Sequence, residues 1–467
     1  MKIQRRPTHL IALPLLLLCA CGSSDDGIVR PKNLLLTIFD TTRADHLSAY
    51  GYGKATTPAV DALVKSGARF DQAYSQSSLT PVSAGAFLTG TWPNRHGIRS
   101  LMSVGEESLN AQVETLAERL TQAGLRSAAF VSARPMGAHY GLDRGFETYS
   151  EVVHKEVQKS RCGNEYQRRA DDTTDLALEW LGANGLDPFF LMLHYFDAHD
   201  ATLAPPREFL AERVSFPLPR NIAVPCALVG LADKFRVELY DAEIAWMDFQ
   251  FARVIERLER LGVLDETLIC VIADHGEGLG QHDNWTHGWL HREQIRVPLV
   301  LSGPGVASEM VIDQPVRLID LFPTFSELFD VELKRETYNG ISLLPLLDKA
   351  TESARIVYAE VHHDIDDFLG RDPAMFCLEQ GDWKYIHRPE TGQHELYHVA
   401  EDPTELKNLY TADHPQAAKL LTALQDLGVL GGDLITSEGL TADEIEALEA
   451  LGYLGQDNEP GENDDKD

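Results

Sequence analysis

Three apolar runs in this chain each stop abruptly at acids or histidines, and that arrangement limits the available folds more than any other feature. Asn33 to Phe39 ends on Asp40, Phe189 to His194 leads into Tyr195-Phe196-Asp197-Ala198-His199, and Thr267 to Ala273 ends on Asp274-His275. Near-continuous apolar strands are those covered on both faces, as in parallel sheets. Between them lie segments with helical spacing: Thr57 to Gly67, Ser83 to Thr89, Leu109 to Gly124, Asp171 to Gly182 and Tyr240 to Leu261. Ser127 to Val131 and Val297 to Ser302 read as further strands. Alternating strand and helix predicts an α/β fold, a mostly parallel central sheet with helices on both faces. Ligands of such sheets bind beyond the carboxyl ends of the strands, where these acids and histidines fall.

The texture changes after Phe329. Ile356 to Val361, Phe376 to Glu379, Trp383 to His387 and Glu395 to Val399 are short strand candidates, followed by a helix from Pro415 to Leu427. The reading is a main domain over 33–330 and a small C-terminal α+β subdomain over 331–455. Residues 456–467 form an acidic tail whose composition argues for disorder.

A chain of 467 residues can bury a large core, and 44% apolar with 24% charged residues is the balance of a globular protein. The formal net charge of −31 argues against nucleic acid as a partner. It does not exclude an anionic substrate, because a bound cation and a few local Arg or His residues reverse the field inside a cleft.

Lys2, Arg5 and Arg6 precede a short apolar run, His9 to Leu18, that is too short to span a bilayer. Leu18-Cys19-Ala20-Cys21 resembles a bacterial lipoprotein processing site. That implies a signal peptide over 1–20, lipidation of Cys21, a linker over 21–32 and a lipid-anchored place at the bacterial cell envelope. Export permits disulfides; Cys162 and Cys226 lie in polar surroundings and could pair, whereas Cys270 reads as a buried small residue.

The cluster Asp274-His275-Gly276-Glu277-Gly278 is the strongest chemical signal. Carboxylates and an imidazole converging on one sheet edge repel and desolvate one another unless a cation neutralises them. His362 and His363, beside Asp364, Asp366 and Asp367, read instead as a solvated acidic loop, and Asn94-Arg95-His96-Gly97 as a structured loop.

Taken in order, these stretches resemble the sulfatase family of the alkaline phosphatase superfamily. The matching segments are Asn33 to His46, Thr80 to Gly90, Asp274 to Gly280, Trp285 to Gly288 and Ile295 to Pro298. Weaker matches are Asp197-Ala198-His199, Tyr240 to Ile244, Leu396-Tyr397 with Glu401-Asp402-Pro403, and Ala447 to Gly455. The resemblance implies a metal-dependent ester hydrolase with Asp40, Thr80, Asp274 and His275 as metal ligands. Thr80 is also the implied nucleophile. It implies His199 and His287 as residues that contact substrate oxygens or the leaving group, and Arg43 as a substrate-binding cation.

The chain departs from the family where the nucleophile stands. The main sulfatases carry Cys or Ser there, with Pro two and Arg four residues on, and oxidise the first residue to formylglycine. Here the stretch reads Thr80-Pro81-Val82-Ser83-Ala84. A threonine is not converted by that oxidation, so the resemblance points to a hydroxyl that attacks sulfur or phosphorus directly, as in phosphodiesterases of the superfamily. His275 in the ligand set favours one Mn²⁺ or Zn²⁺ ion over Ca²⁺ or Mg²⁺. A second metal would have to draw on Asp197, His199 and His287, whose spacing is not that of the two-zinc enzymes. The expected substrate is a small anionic ester, a glycan or a lipid headgroup. Two other readings stay open: a non-catalytic binder of sulfated or phosphorylated glycans, and an envelope transferase of phospho-headgroups. Oligomeric state is not legible.

Overall fold

The computed structural model describes residues 29–430, except 102–107, 152–166, 200–202, 219–231, 351, 353 and 364–371. Cys19, Cys21, Cys162, Cys226, Ala447 to Gly455 and the acidic tail lie outside the described residues. Among the described residues no helix is long and apolar enough to cross a membrane.

Eight strands form the central sheet. Their spatial order is Met310–Ile312, Gly67–Phe70, Leu299–Ser302, Thr267–Ile272, Asn33–Phe39, Phe189–Tyr195, Arg126–Val131 and Thr148–Ser150. Leu299–Ser302 is antiparallel to both neighbours, and every other pairing is parallel. The expected α/β class, a mostly parallel sheet, is the one observed.

The strand Asn33–Phe39 is buried along its whole length. Leu34, Leu36 and Ile38 point into one apolar core, and Leu35 and Phe39 into the other, because successive side chains of a strand alternate faces. The first core is closed by Val82 and Phe87 of the helix Thr80–Thr89 and by Phe322 and Phe325 of the helix Leu321–Leu328. The second is closed by Trp180 of the helix Ala170–Asn184 and by Ile244 and Phe251 of the helix Asp233–Leu261. Helices therefore cover both faces, and truncating one of these central leucines to Ala costs about 2–5 kcal/mol.

Two segments differ from the expected elements for local reasons. The helix expected from Leu109 begins only at Leu116, because Thr115 and Glu118 form a reciprocal capping box that sets the N-terminus there. The strand expected from Val297 to Ser302 is broken at Pro298, which has no N–H for a ladder. Arg296–Val297 pairs instead with Ala73–Tyr74, and Leu299–Ser302 enters the central sheet.

The C-terminal part is a four-stranded antiparallel meander: Val357–His362, Ala374–Gln380, Trp383–Arg388 and Gln393–His398. The helix Pro415–Asp426 packs on it through Leu420 and Leu424. Ala86, Trp92 and Ile319 join this third apolar cluster, so the meander rests on the helix that begins at Thr80.

Candidate active site

The three strands at the middle of the sheet deliver the polar residues. Asn33–Phe39 lies between Phe189–Tyr195 and Thr267–Ile272, with Ile38 level with His194 on one side and Ile272 on the other. Their carboxyl ends therefore bring Asp40, His194 and Asp274 to one point. Asp40, Thr80, His194, Asp274 and His275 are all fully buried.

One oxygen of Asp40 is held: Oδ2 faces His194 Nε2 at 2.7 Å. The Ser132 amide points at His194 Nδ1 at 3.3 Å, so Nδ1 accepts and Nε2 carries the proton given to Asp40. Burial pulls the pKa of His194 down to about 4, which keeps this imidazole neutral. Asp274 is held on one oxygen too, its Oδ1 accepting from the Thr41 amide at 3.2 Å. The remaining oxygens, Asp40 Oδ1 and Asp274 Oδ2, are buried without a hydrogen-bond partner, and Asp274 Oδ2 stands 3.4 Å from His275 Nε2. Burial, with the charge of Asp274 added, drives the Asp40 carboxyl well above its ordinary range.

His275 completes the group: its ligand nitrogen and one oxygen each of Asp40 and Asp274 lie within 4.8 Å of one another. The Gly276 carbonyl accepts from His275 Nδ1 at 2.9 Å, so the Nε2 lone pair is the one turned inward. Nε2 stands 3.2 Å from Thr80 Oγ1, which is 3.4 Å from Asp40 Oδ2. Thr80 is the first residue of the ten-residue helix Thr80–Thr89, where unpaired amides and the helix dipole favour an anion. Ser83, one turn on, donates to the Asp274 carbonyl at 2.8 Å and ties that helix to the strand end.

Thr41 has φ of 51°, a left-handed conformation that a β-branched residue rarely adopts and that costs about 1–3 kcal/mol. It aims the Thr41 amide at Asp274 while the Tyr240 hydroxyl donates to the Thr41 carbonyl at 2.7 Å. The same hydroxyl accepts from the Arg43 amide at 2.8 Å, and this buried tyrosine thereby fixes the turn after Asp40.

His199 and His287 join the group from two other loops. The His287 ring lies 4.6 Å from that of His275 and 4.8 Å from that of His199, centre to centre. His287 Nδ1 is 3.2 Å from Glu277 Oε2, and burial raises Glu277 to about 7. His199 stacks on Phe196 at 4.1 Å.

Arg43, Asp197 and the pair His362 and His363 each have a definite place in the structure. The resemblance implies a substrate contact for Arg43; in the structure all three of its guanidinium nitrogens are bonded within the protein, to Asp45 at 2.9 and 2.7 Å, to Gln281 at 2.8 Å and to the Glu277 carbonyl at 3.3 Å. It braces the loop after Asp274. Asp197 does not turn toward His199 and His287, because its carboxylate accepts from the Ala170 amide at 2.9 Å, at the start of the helix Ala170–Asn184. His362 and His363, expected on a solvated loop, are buried, and His363 Nε2 bonds the Gly288 carbonyl at 2.8 Å beside His287. The sequence assigns no role to His194, and Glu277 appears in it only as a member of the Asp274 to Gly278 cluster. A histidine inside an otherwise apolar strand was the available signal for the first.

A family model described as Sulfatase matches residues 32–331. The chain belongs to the sulfatase family. A second model, N-sulphoglucosamine sulphohydrolase, C-terminal, matches residues 280–427. Among curated relatives of this sulfatase-family chain is the Delta 4,5-hexuronate-2-O-sulfatase of Bacteroides thetaiotaomicron, 26% identical and covering 86% of this chain and 89% of the relative. A solved structure in complex with its substrate D-glucosamine-2-N,6-O-disulfate superposes with a TM-score of 0.71 at 20% identity, covering 93% of this chain and 100% of that one. The phosphonate monoester hydrolase of Agrobacterium radiobacter gives 0.67 at 22% identity, covering 85% and 95%. At these identities the structural likenesses establish the shared fold.

Proposed function

We propose that this sulfatase-family hydrolase cleaves a sulfate or phosphate ester at a divalent metal held by Asp40, Asp274 and His275, with Thr80 as the attacking hydroxyl. Membership of the family places the chain among hydrolases of the sulfuric and phosphoric ester class. The observation that carries the finer reading is the pair of orphaned oxygens, Asp40 Oδ1 and Asp274 Oδ2, buried beside the inward lone pair of His275. Two buried carboxylates that each turn an oxygen without a hydrogen bond toward one point are unfavourable without a cation there. The donor set therefore fits a divalent ion, and its imidazole ranks Mn²⁺ or Zn²⁺ above Ca²⁺ or Mg²⁺.

When bound, such an ion lowers the pKa of a coordinated hydroxyl and offsets charge on the ester oxygens. The protein supplies the rest. His194 holds Asp40 through one oxygen so that the other faces the site. The helix N-terminus at Thr80 presents amides to an anionic group. Glu277 fixes the His287 ring, and Phe196 fixes that of His199, so both imidazoles can meet a substrate oxygen or the departing one. Arg43 keeps the Glu277 loop in place.

The first substrates to try are sulfated saccharides, since the relatives above are named for a hexuronate 2-O-sulfate and a glucosamine disulfate. Aryl sulfate, phosphodiester and phosphonate esters complete the panel. Metal-stripped protein is expected to regain turnover on addition of Mn²⁺ or Zn²⁺, and Thr80→Ala to stay inactive in the same assay. Turnover by Thr80→Ala equal to the parent removes the nucleophile assignment. Metal-dependent binding of the saccharides without turnover of any ester supports the binding-protein reading, and product found on an acceptor other than water supports transfer. We place the chain at the bacterial envelope through acylation of Cys21, which mass spectrometry of the N-terminal peptide from membranes tests.

A further inference from the structure

We propose that His282, His291 and Glu293 form a second divalent-cation site, of the zinc class, made of residues distinct from those around Thr80. One ligand atom from each of the three lies within 4.8 Å of the others. The hydrogen bonds show which atoms remain. His282 Nε2 is 2.9 Å from the Glu405 backbone carbonyl, which can only accept, so that nitrogen carries its proton. His291 Nε2 is 2.9 Å from Glu395 Oε2, a carboxylate further held by Arg388 at 2.5 Å and by the Tyr397 hydroxyl at 2.5 Å. Both imidazoles are thus oriented through Nε2 by oxygen acceptors, the outer-shell arrangement of histidines that bind metal through the other nitrogen.

The Nδ1 atoms are the ones left. His291 is only 4% exposed, and its Nδ1 is buried with no hydrogen-bond partner. His282 Nδ1 sits 2.6 Å from Glu293 Oε1. A proton on His282 Nδ1 shared with Glu293 accounts for this separation; the N and O ligands of one tetrahedral zinc stand about 3.3 Å apart, so an ion would displace that proton and open the pair. A cation there also satisfies the orphaned nitrogen of His291, which a proton on His282 does not. The two rings stack at 3.8 Å with 9° between their planes. Parallel rings aim their in-plane lone pairs side by side, so closing on one ion requires them to tilt apart.

Two imidazoles and one carboxylate are a zinc-type donor set that leaves a fourth position open. His282 and His291 line a cavity of about 630 Å³ together with Trp289, Arg388, His394 and Tyr397, which gives that position access to water or a small anion. The outer-shell partners Glu395 and Glu405 belong to the C-terminal part, whereas the three ligands flank His287 in sequence. An ion here would fasten the loop that carries His287 to the C-terminal meander.

The test is zinc stoichiometry on the full chain after chelation and equilibrium dialysis at limiting free zinc. Asp274→Asn protein, disabled at the first site, is expected to retain one equivalent. Adding His291→Ala or the near-isosteric Glu293→Gln is expected to remove it while circular dichroism stays that of the parent. Cobalt substitution of Asp274→Asn protein is expected to give visible d–d absorption that Glu293→Gln lacks. No zinc retained by Asp274→Asn, or equal zinc with and without Glu293→Gln, overturns the site. Should His291→Ala fail to fold, the Glu293→Gln and cobalt comparisons decide alone.

Discussion

His194 donates its Nε2–H to Asp40 Oδ2 at 2.7 Å across adjacent parallel strands, and this bond leaves Asp40 Oδ1 as the oxygen without a protein partner. The orientation of a principal candidate ligand is therefore set by a residue of the neighbouring strand. His194→Ala is expected to weaken metal binding about 10–100-fold, the usual cost of losing an outer-shell partner, while His194→Gln restores part of it through its amide N–H. Calorimetric titration of stripped protein reads this directly, and unchanged affinity in His194→Ala would exclude a positioning role.

Thr80→Ala is expected to lower kcat on the order of 10³-fold or more, the scale of removing an attacking group. Stability should fall far less, because the change removes few buried atoms. Thr80→Ser keeps a hydroxyl and is expected to retain measurable turnover. Steady-state rates and a thermal melt of the three proteins check both halves.

Gly85 sits five residues after Thr80 with the His96 ring against its backbone. A Cβ there would meet His96 Cε1 and Nδ1 at 2.7 Å, and His96 is itself fully buried. Gly85→Ala is expected to cost about 1–3 kcal/mol by overpacking and to displace the helix that presents Thr80. Urea unfolding measures the first effect and loss of turnover the second. A variant as stable and active as the parent would show that the helix accommodates the methyl without moving.

Asp320 pins the start of the helix Leu321–Leu328 to two arginines, Arg317 at 2.7 Å and Arg355 at 2.8 Å, and accepts from the Ile341 amide at 2.8 Å. Burial opposes ionisation, but Arg317 and Arg355 outweigh it and hold the carboxyl below its ordinary value. A depressed folded pKa stabilises above the unfolded value, about 3.9, and that contribution is lost as the pH falls through the lower folded value. Unfolding free energies are expected to drop through that acid window in the parent and to drop less steeply in Asp320→Asn. Asp320→Ala, which strands two buried guanidinium groups, is expected to cost about 3–5 kcal/mol at neutral pH. Identical acid profiles for parent and Asp320→Asn would contradict this linkage.

Much of the layout was readable because buried parallel strands announce themselves as apolar runs. Asn33–Phe39, Phe189–Tyr195 and Thr267–Ile272 all fall where those runs lie. The short strands Gly67–Phe70 and Met310–Ile312 were not read, because three or four residues carry no period of their own and are strands only through their partners. Helix starts were less legible for a related reason. The helix Asp233–Leu261 begins seven residues before the amphipathic pattern at Tyr240 becomes clear, through residues whose partners lie elsewhere in the fold.

The chemical residues divide along the same line. Asp40, Asp274 and His275 stood out because each follows an apolar run, a feature of local sequence, whereas Thr80 was named only through the family resemblance. Their donor set and the family order could be named without coordinates. Which oxygen of Asp40 is free, that Arg43 faces Asp45, Gln281 and Glu277, that Asp197 caps a helix, and that His282 meets His291 above Glu395 all depend on side-chain direction. Direction is decided by contacts between residues as far apart as Asp40 and His194 or His291 and Glu395, and only packing of the whole chain brings those pairs together.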